Sequence, residues 1–487
     1  MYWNIGVLYY CGVTIGESAV SLRTITNFIQ SLREYQDKTG IDLFDLEFKG
    51  LVKNHIEIFK VNTKIARTDS TQIATNVCAY NRLQLQIEAV KRVYRVFDEA
   101  DRVFVFTVNP NYVKYEADNY VSMLKTEDIP DEFQKIGQSY LGMINHFGAK
   151  YADTTEWQMF MRIFQEQFIV EDSNTDDPTI TIKPYCDKQS DDIRAIDDTE
   201  ATLRYKSGVN HLGFVANLVE TADPEADLNL ICDTTLCQNN VSDGRMLLNS
   251  IDDLVTDRLT DLKEIHNDRG YGGPELDKKL EQYSINSVQT GIKGVKCEAS
   301  MFVEKVDDAY FVTCVANQRV ACKVLEKSYK AAFDPSICSS CQKIGVCPVK
   351  RLKRKDEYVY YMRSNDLSKR LRLSYINTIP RNRRSLRSGI EATVRQFKCK
   401  TKAGKSRLRG LYRHKLWFTI LALAINVQRI YNYNRGVSKK RKRDHSLFFM
   451  FNILTLFEVI HTLWSNLLCI SGVKSCKIVF HLPGMQL

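Results

Sequence analysis

The chain has 487 residues, a formal net charge of +10, 44% hydrophobic and 26% charged residues. That balance excludes a disordered or fibrous chain, and the length allows a large core in more than one structural unit. Charge is unevenly placed: acids crowd 171–261 while Lys and Arg crowd 350–443, so the C-terminal half suits a polyanionic partner. The fourteen cysteines follow no secretory leader, which points to reduced thiols or metal ligands rather than a disulfide framework.

In chain order, residues 1–60 read as a helical N-terminal region. The opening MYWNIGVLYYCGVTIG lacks a positively charged segment and reads as a buried helix or strand. Leu22, Ile25, Phe28, Ile29 and Leu32 then recur at helical spacing. Residues 61–81 hold a first core strand, KVNTKIART, ending at Asp69 before STQIATN. An acid there, among small hydroxylated residues, suits an open metal ligand; the same composition suits a turn or helix N-cap.

Residues 82–208 read as a mostly helical insertion and a polar crossing. Leu83, Ile87, Val90, Tyr94 and Phe97 form an apolar stripe that belongs to a core rather than a base-stacking platform. The pairs Asp191-Asp192 and Asp197-Asp198 read as solvated loop acids. Residues 209–294 change to strands: HLGFVANLVET and DLNLICDTTL form a hairpin about ADPEA. A helix (Gly244 to Leu259) follows, then a short strand into EIHNDRGYGG that ends at Asp268. Gly270, Gly272 and Gly273 let the backbone turn there, Tyr271 reads as packing, and Pro274 opens the next helix before a strand in SINSVQTGIKG. Strand, strand, strand, helix, strand, helix, strand describes a mixed α/β layer.

Residues 295–375 form a β-rich insertion holding Cys297, Cys314, Cys322, Cys338, Cys341 and Cys347. CSSCQKIGVC sets Cys338, Cys341 and Cys347 in one loop. They are either half of a zinc site, completed by Cys314, Cys322 or Cys297, or small core residues.

Residues 376–433 contain RSLRSGIEATVRQFK, a helix opened by Ser388-Gly389. Arg387, Glu391, Arg395 and Lys398 share one face, and Ile390, Val394 and Phe397 an adjacent apolar one. This is either an amphipathic helix with ordinary ion pairs, or an acid that holds a divalent cation among bases that hold phosphate. Downstream, Lys405, Arg407, Arg409, Arg413, His414 and Lys415 are phosphate contacts or a solvated basic face, ahead of the helix LWFTILALAINVQRIYNY. Residues 434–487 are a tail in which KKRKR precedes an apolar run interrupted by Asn452, Glu458, His461 and Asn466. It reads as an amphipathic helix rather than a membrane span.

Four groups of motifs, in this order, cover roughly residues 14–433: RTDSTQIATNV…NRLQL; DDTEATLRYKSG…GFVANLVETADPEADLNLI; NDRGYGGPELD; and IEATVRQFK…GKSRLRGLYRHK…NVQRIYNY. Together they resemble the DDE transposases of bacterial insertion sequences. The resemblance implies an α/β fold, a ribonuclease H-like mixed sheet flanked by helices. A helical N-terminal region that contacts the element end or serves as scaffold precedes it, and a β-rich, Cys-containing insertion precedes the last catalytic helix. It implies Asp69, Asp268 and Glu391 as catalytic ligands of Mg²⁺ or Mn²⁺, with Asp198 in support and Zn²⁺ at the cysteines as a lesser option. Arg387 and Lys398 would complete an R-x3-E-x6-K pattern oriented on phosphate. A Tyr usual three residues before that Arg is here Arg384. The implied activity is two-metal phosphoryl transfer, giving metal-dependent cleavage of element ends and strand transfer. The implied partners are terminal inverted repeats and target DNA, bound as a dimer in the bacterial cytoplasm, with no membrane and no small-molecule substrate. A nuclease without strand transfer, or a transposase-derived DNA-binding protein, would share these motifs.

Overall fold

The computed structural model describes residues 21–171, 179–206, 208–289, 301–352, 357–380, 383, 385–399 and 405–441. The opening apolar stretch, Cys297, Arg384 and the tail beyond Arg441 lie outside them. The protein is a mixed α/β molecule in which helices cover a mixed sheet.

Two helices come first, α1 (Leu22–Thr39) and α2 (Leu43–Phe59). Ser21 caps α1 through the Thr24 N–H, and Asp42 caps α2 through the Phe44 and Asp45 N–H groups. Strand β1 (Ile65–Thr75) follows and lies at the centre of the sheet. It runs well past Asp69, so the acid sits inside the strand and not at its end. The reason is that STQIAT continues the alternation, burying Thr71, Ile73 and Thr75.

The chain then leaves the sheet for a helical block: α3 (Arg82–Val96), α4 (Glu99–Val108), α5 (Pro110–Lys114), α6 (Ala117–Met123), α7 (Ile129–Tyr151) and α8 (Thr155–Gln167). An Asn81–Gln84 capping box starts α3. This block has its own core, where Tyr140 stacks on Phe160 at 4.0 Å and Phe97 packs on Tyr151 and Phe147. A small hairpin, β2 (Phe168–Glu171) with β3 (Thr179–Ile182), closes it.

Strand β4 (Thr202–Lys206) lies within the stretch read from sequence as a polar crossing. TLRYK is β-prone and pairs antiparallel with the start of β5 (Val209–Thr221). The rest of β5 pairs with β1 on one side and with β6 (Ile231–Gln238) on the other. Helix α9 (Asp243–Asp253), capped by Ser242, ends in a π turn (Leu254–Arg258) and leads to β7 (Glu264–Asn267). Helix α10 (Pro274–Gln282) leads to β8 (Asn286–Gln289). Strands β7 and β8 join β1 in parallel, giving the lateral order β6–β5–β1–β7–β8, with β4 continuing the β6 side.

The second excursion is a six-stranded antiparallel sheet of β9 (Phe302–Val306), β10 (Ala309–Thr313), β11 (Arg319–Val324), β12 (Tyr329–Phe333), β13 (Lys350–Leu352) and β14 (Glu357–Met362). A short helix, α11 (Pro335–Ser339), lies between β12 and β13. Helix α12 (Ser364–Thr378) returns the chain to the main sheet, where Arg372 bonds Gln289 and Asp277. Two helices then close on the central strands: α13 (Ser388–Lys398), entered by the 3-10 turn Ser385–Arg387, and α14 (Leu411–Arg441). A two-residue strand, β15 (Lys405–Ser406), pairs with the end of β1. Ile390 and Phe397 of α13 and Phe418 and Ala422 of α14 are buried in the core that also holds Ala66, Phe214 and Ile265 of the sheet. Burying such side chains contributes about 2 kcal/mol each, which seats α13 against β1. No described helix is long and apolar enough to cross a membrane.

Candidate functional site

The site is built where β1, the end of β7 and the start of α13 meet. On β1, Asp69 is held from two directions. Its Oδ1 accepts the Ser70 N–H at 2.9 Å, and its Oδ2 accepts Arg387 Nη2 at 3.0 Å from 318 positions along the chain. Burial pushes the Asp69 carboxyl above the usual carboxylate range. Arg387 opposes that shift, and the nearby Asp268 and Asp243 carboxylates add to it.

Asp268 follows β7, which is parallel to β1 and paired with it at Ile65–Arg67. Its Oδ1 accepts the Arg269 N–H at 2.7 Å and so caps the 3-10 turn Arg269–Tyr271. Tyr271, expected only to pack, is buried and donates from Oη to Asn217 Oδ1 at 2.5 Å; Thr68 donates to the same oxygen. This ties the Asp268 turn to the strand pair beneath Asp69. Gly270 permits a close approach: a Cβ there would meet the Asp243 carboxylate.

Glu391 lies in the first turn of α13 and is 63% exposed, with Oε1 facing Arg387 Nη1 at 3.5 Å. Arg387 therefore bridges Asp69 and Glu391 rather than pointing at solvent. Arg395 and Lys398 share the exposed face of α13.

The orientation of α13 depends on a residue that sequence reasoning passed over. Glu220 on β5 is fully buried and accepts Arg67 Nε at 2.6 Å, Thr393 Oγ1 at 2.8 Å and Arg429 Nη1 at 2.8 Å. These bonds join β5, β1, α13 and α14 at one carboxylate. Arg67 also donates to the Leu386 carbonyl at 3.1 Å, beneath the entry to α13. At Gly389 any Cβ would fall inside contact distance of that guanidinium. A charged residue closing the apolar run VANLVE was the available signal for Glu220. Asp243, the first residue of α9, was also missed; it is held by Arg204 at 3.5 Å and lies close enough to act on Asp69.

Other expected residues are placed differently. Asp198 accepts the Gly410 N–H and Glu200 accepts the Leu411 N–H, so this pair holds the start of α14 rather than the carboxylates of β1 and β7. Lys415 pairs with Asp42 at 2.9 Å and Arg409 donates to Asn76 Oδ1 at 2.8 Å, so both serve packing. Lys405, Arg407 and Arg413 are exposed. His414 is buried, with Nδ1 2.8 Å from the Gly410 carbonyl oxygen. Cys338 and Cys314 are buried in the core of the second sheet, with Cys347 packed against it. The Cys341 N–H donates to the Cys338 carbonyl in the turn, and Gln318 Nε2 donates to Cys338 Sγ. Cys314, Cys341 and Cys347 all lie near enough to Cys338 to bear on its thiol.

Among the described residues, no three His, Cys, Asp or Glu side chains are grouped tightly enough to hold a metal ion. The donor set of Asp69, Asp268 and Glu391 nonetheless fits a hard divalent cation. It is oxygen-only, and one cationic group already bridges two of its members.

Comparison with known proteins adds a family. The family described as Transposase DDE domain matches residues 313–431, roughly a quarter of the chain, a span that contains Glu391 but neither Asp69 nor Asp268. No curated protein matches the chain. Among solved structures, a cryo-EM structure of piggyBac transposase in a synaptic complex with hairpin DNA aligns over 82% of this chain and 73% of its own. Identity is 13% and the TM-score 0.23, too low to indicate a common fold. By the domain match, the part of the chain that carries α13 and α14 is similar to the transposase DDE domain.

Proposed function

We propose that this chain is a DNA transposase with a ribonuclease H-like core, cleaving element ends and joining them to target DNA. The lateral strand order β6–β5–β1–β7–β8, with three antiparallel members and two added in parallel, supports that core. The observation that carries the reading is the Asp69–Arg387–Glu391 chain of contacts, with Asp268 one strand away. It brings together acids 322 positions apart in the chain, on the central strand of the sheet and on the helix packed beside it.

In this reading Asp69, Asp268 and Glu391 would hold Mg²⁺ or Mn²⁺. A bound ion of that kind supplies an activated water or 3′-hydroxyl and stabilises the leaving oxygen at phosphorus. The chain's own residues do the rest. Asp69 is fixed by the strand and by the Ser70 N–H, and Asp268 is fixed by its turn. The Glu220 cluster sets the angle at which α13 presents Glu391. Arg395, Lys398, Lys405, Arg407 and Arg413 form the exposed basic surface that would take the DNA backbone. Two copies would hold two DNA ends.

The test is cleavage of DNA carrying the gene's own flanking ends in Mg²⁺ or Mn²⁺, comparing wild type with Asp268→Ala and Glu391→Ala. Nicking at the element boundary that needs metal and is lost in both variants supports the reading. Equal nicking by the variants overturns it.

A further inference from the structure

The guanidinium of Arg387 stands where the proposed function puts a cation. Nη2 donates to Asp69 Oδ2 at 3.0 Å and Nη1 faces Glu391 Oε1 at 3.5 Å. Nε is buried and has no partner among the described residues. The side chains of Arg387 and Asp69 are 18% and 15% exposed, so this pair is largely withdrawn from water. Without a positive charge there, Asp69 would be buried near Asp243 and Asp268 with only the Ser70 N–H to offset their repulsion.

From this juxtaposition we infer that Arg387 is an internal counter-cation that a divalent ion displaces. In the metal-free protein it neutralises Asp69 and Glu391 and keeps α13 docked. The ion takes over the same carboxylate oxygens, and the freed guanidinium is then available to a DNA phosphate one helical turn from Glu391. A planar fork with parallel N–H donors suits a phosphate as well as it suits two carboxylates. Cation binding and phosphate gripping are therefore coupled through one side chain. The inference rests on the metal reading of these carboxylates. A purely structural Arg387 would instead stay in place when the ion binds, and its removal would loosen Asp69 and weaken the ion's hold.

The experiment measures Mn²⁺ binding to the DNA-free full chain from the electron paramagnetic resonance signal of the unbound ion. It compares wild type, Arg387→Gln, Arg387→Met, Arg387→Lys and Asp69→Asn, with Lys125→Gln as a remote charge control. A unit charge about 4 Å from the ion opposes its binding, so the two neutral variants should bind Mn²⁺ about tenfold more tightly than wild type. Arg387→Lys and Lys125→Gln should stay within about threefold of wild type, and Asp69→Asn should lose the site. Thermal melting confirms that each variant is folded, and two neutral variants guard against one failing to fold. Wild-type binding that the neutral variants leave unchanged or weaken overturns the exchange while the metal reading stands. Absence of an Asp69-dependent Mn²⁺ site in wild type and neutral variants alike overturns both.

Discussion

Glu220 offers the sharpest stability prediction. Glu220→Ala leaves two guanidiniums and a hydroxyl without their shared acceptor in a region where Arg67 is 16% and Arg429 21% exposed. Breaking a buried ion pair by removing one partner costs about 3–5 kcal/mol. Three bonds to one buried carboxylate place this site toward the middle of that range, at about 4 kcal/mol. For a folding unit of a few hundred residues this lowers the melting temperature by roughly 10 °C. Glu220→Gln keeps the shape and loses the charge, and should cost about half as much. Urea and thermal melts of both variants, with a double-mutant cycle against Arg67→Ala, give the numbers. A coupling energy above about 1 kcal/mol is expected for groups in direct contact. A Glu220→Ala cost below about 1 kcal/mol would refute the claim that this carboxylate clamps α13 to the sheet.

Three further outcomes follow. Gly389→Ala drives a methyl group into the Arg67 guanidinium, so it should displace the entry to α13 and lower end cleavage at least about tenfold while DNA affinity changes little, read by cleavage and by fluorescence anisotropy. Burial lowers the pKa of His414 below the ordinary 6.5, so the unfolded chain takes up a proton that the native state refuses. Stability from this group is present above about pH 6.5 and is lost as pH falls toward the lower folded value. Melting temperatures of His414→Phe should accordingly decline less than those of wild type between about pH 7 and 5. Finally, Arg407→Ala and Arg413→Ala should each weaken DNA binding and reduce the salt slope by about 0.9, whereas Lys415→Ala should leave the slope unchanged and lower stability through Asp42.

Much of the central sheet was legible because its signals are local. The alternation in HLGFVANLVET, the turn residues of ADPEA and the Gly-rich NDRGYGG each specify their own geometry. The apolar face of α13 was legible by the same logic, since Ile390 and Phe397 repeat at helical spacing and are buried. What escaped depends on contacts between distant segments. Nothing local distinguishes Asp198, which holds the start of α14, from an acid at the reacting centre. Lys415 reads as one more base in a basic run until Asp42 is found opposite it. Glu220 is a single acid in an apolar strand, and its partners come from β1, α13 and α14. Arg387 carried the clearest sequence signal and the least expected position, because its partner Asp69 lies 318 residues away.

In the proposed site Asp69, Asp268 and Glu391 together hold divalent metal where β1, the end of β7 and the start of α13 meet. The most direct measurement is anomalous diffraction from a crystal of the protein soaked in Mn²⁺. A peak in contact with the carboxylates of all three residues, with Arg387 moved away from Asp69, is the predicted result. Saturating Mn²⁺ with no peak there, and Arg387 still bonded to Asp69, would exclude a metal site on these carboxylates.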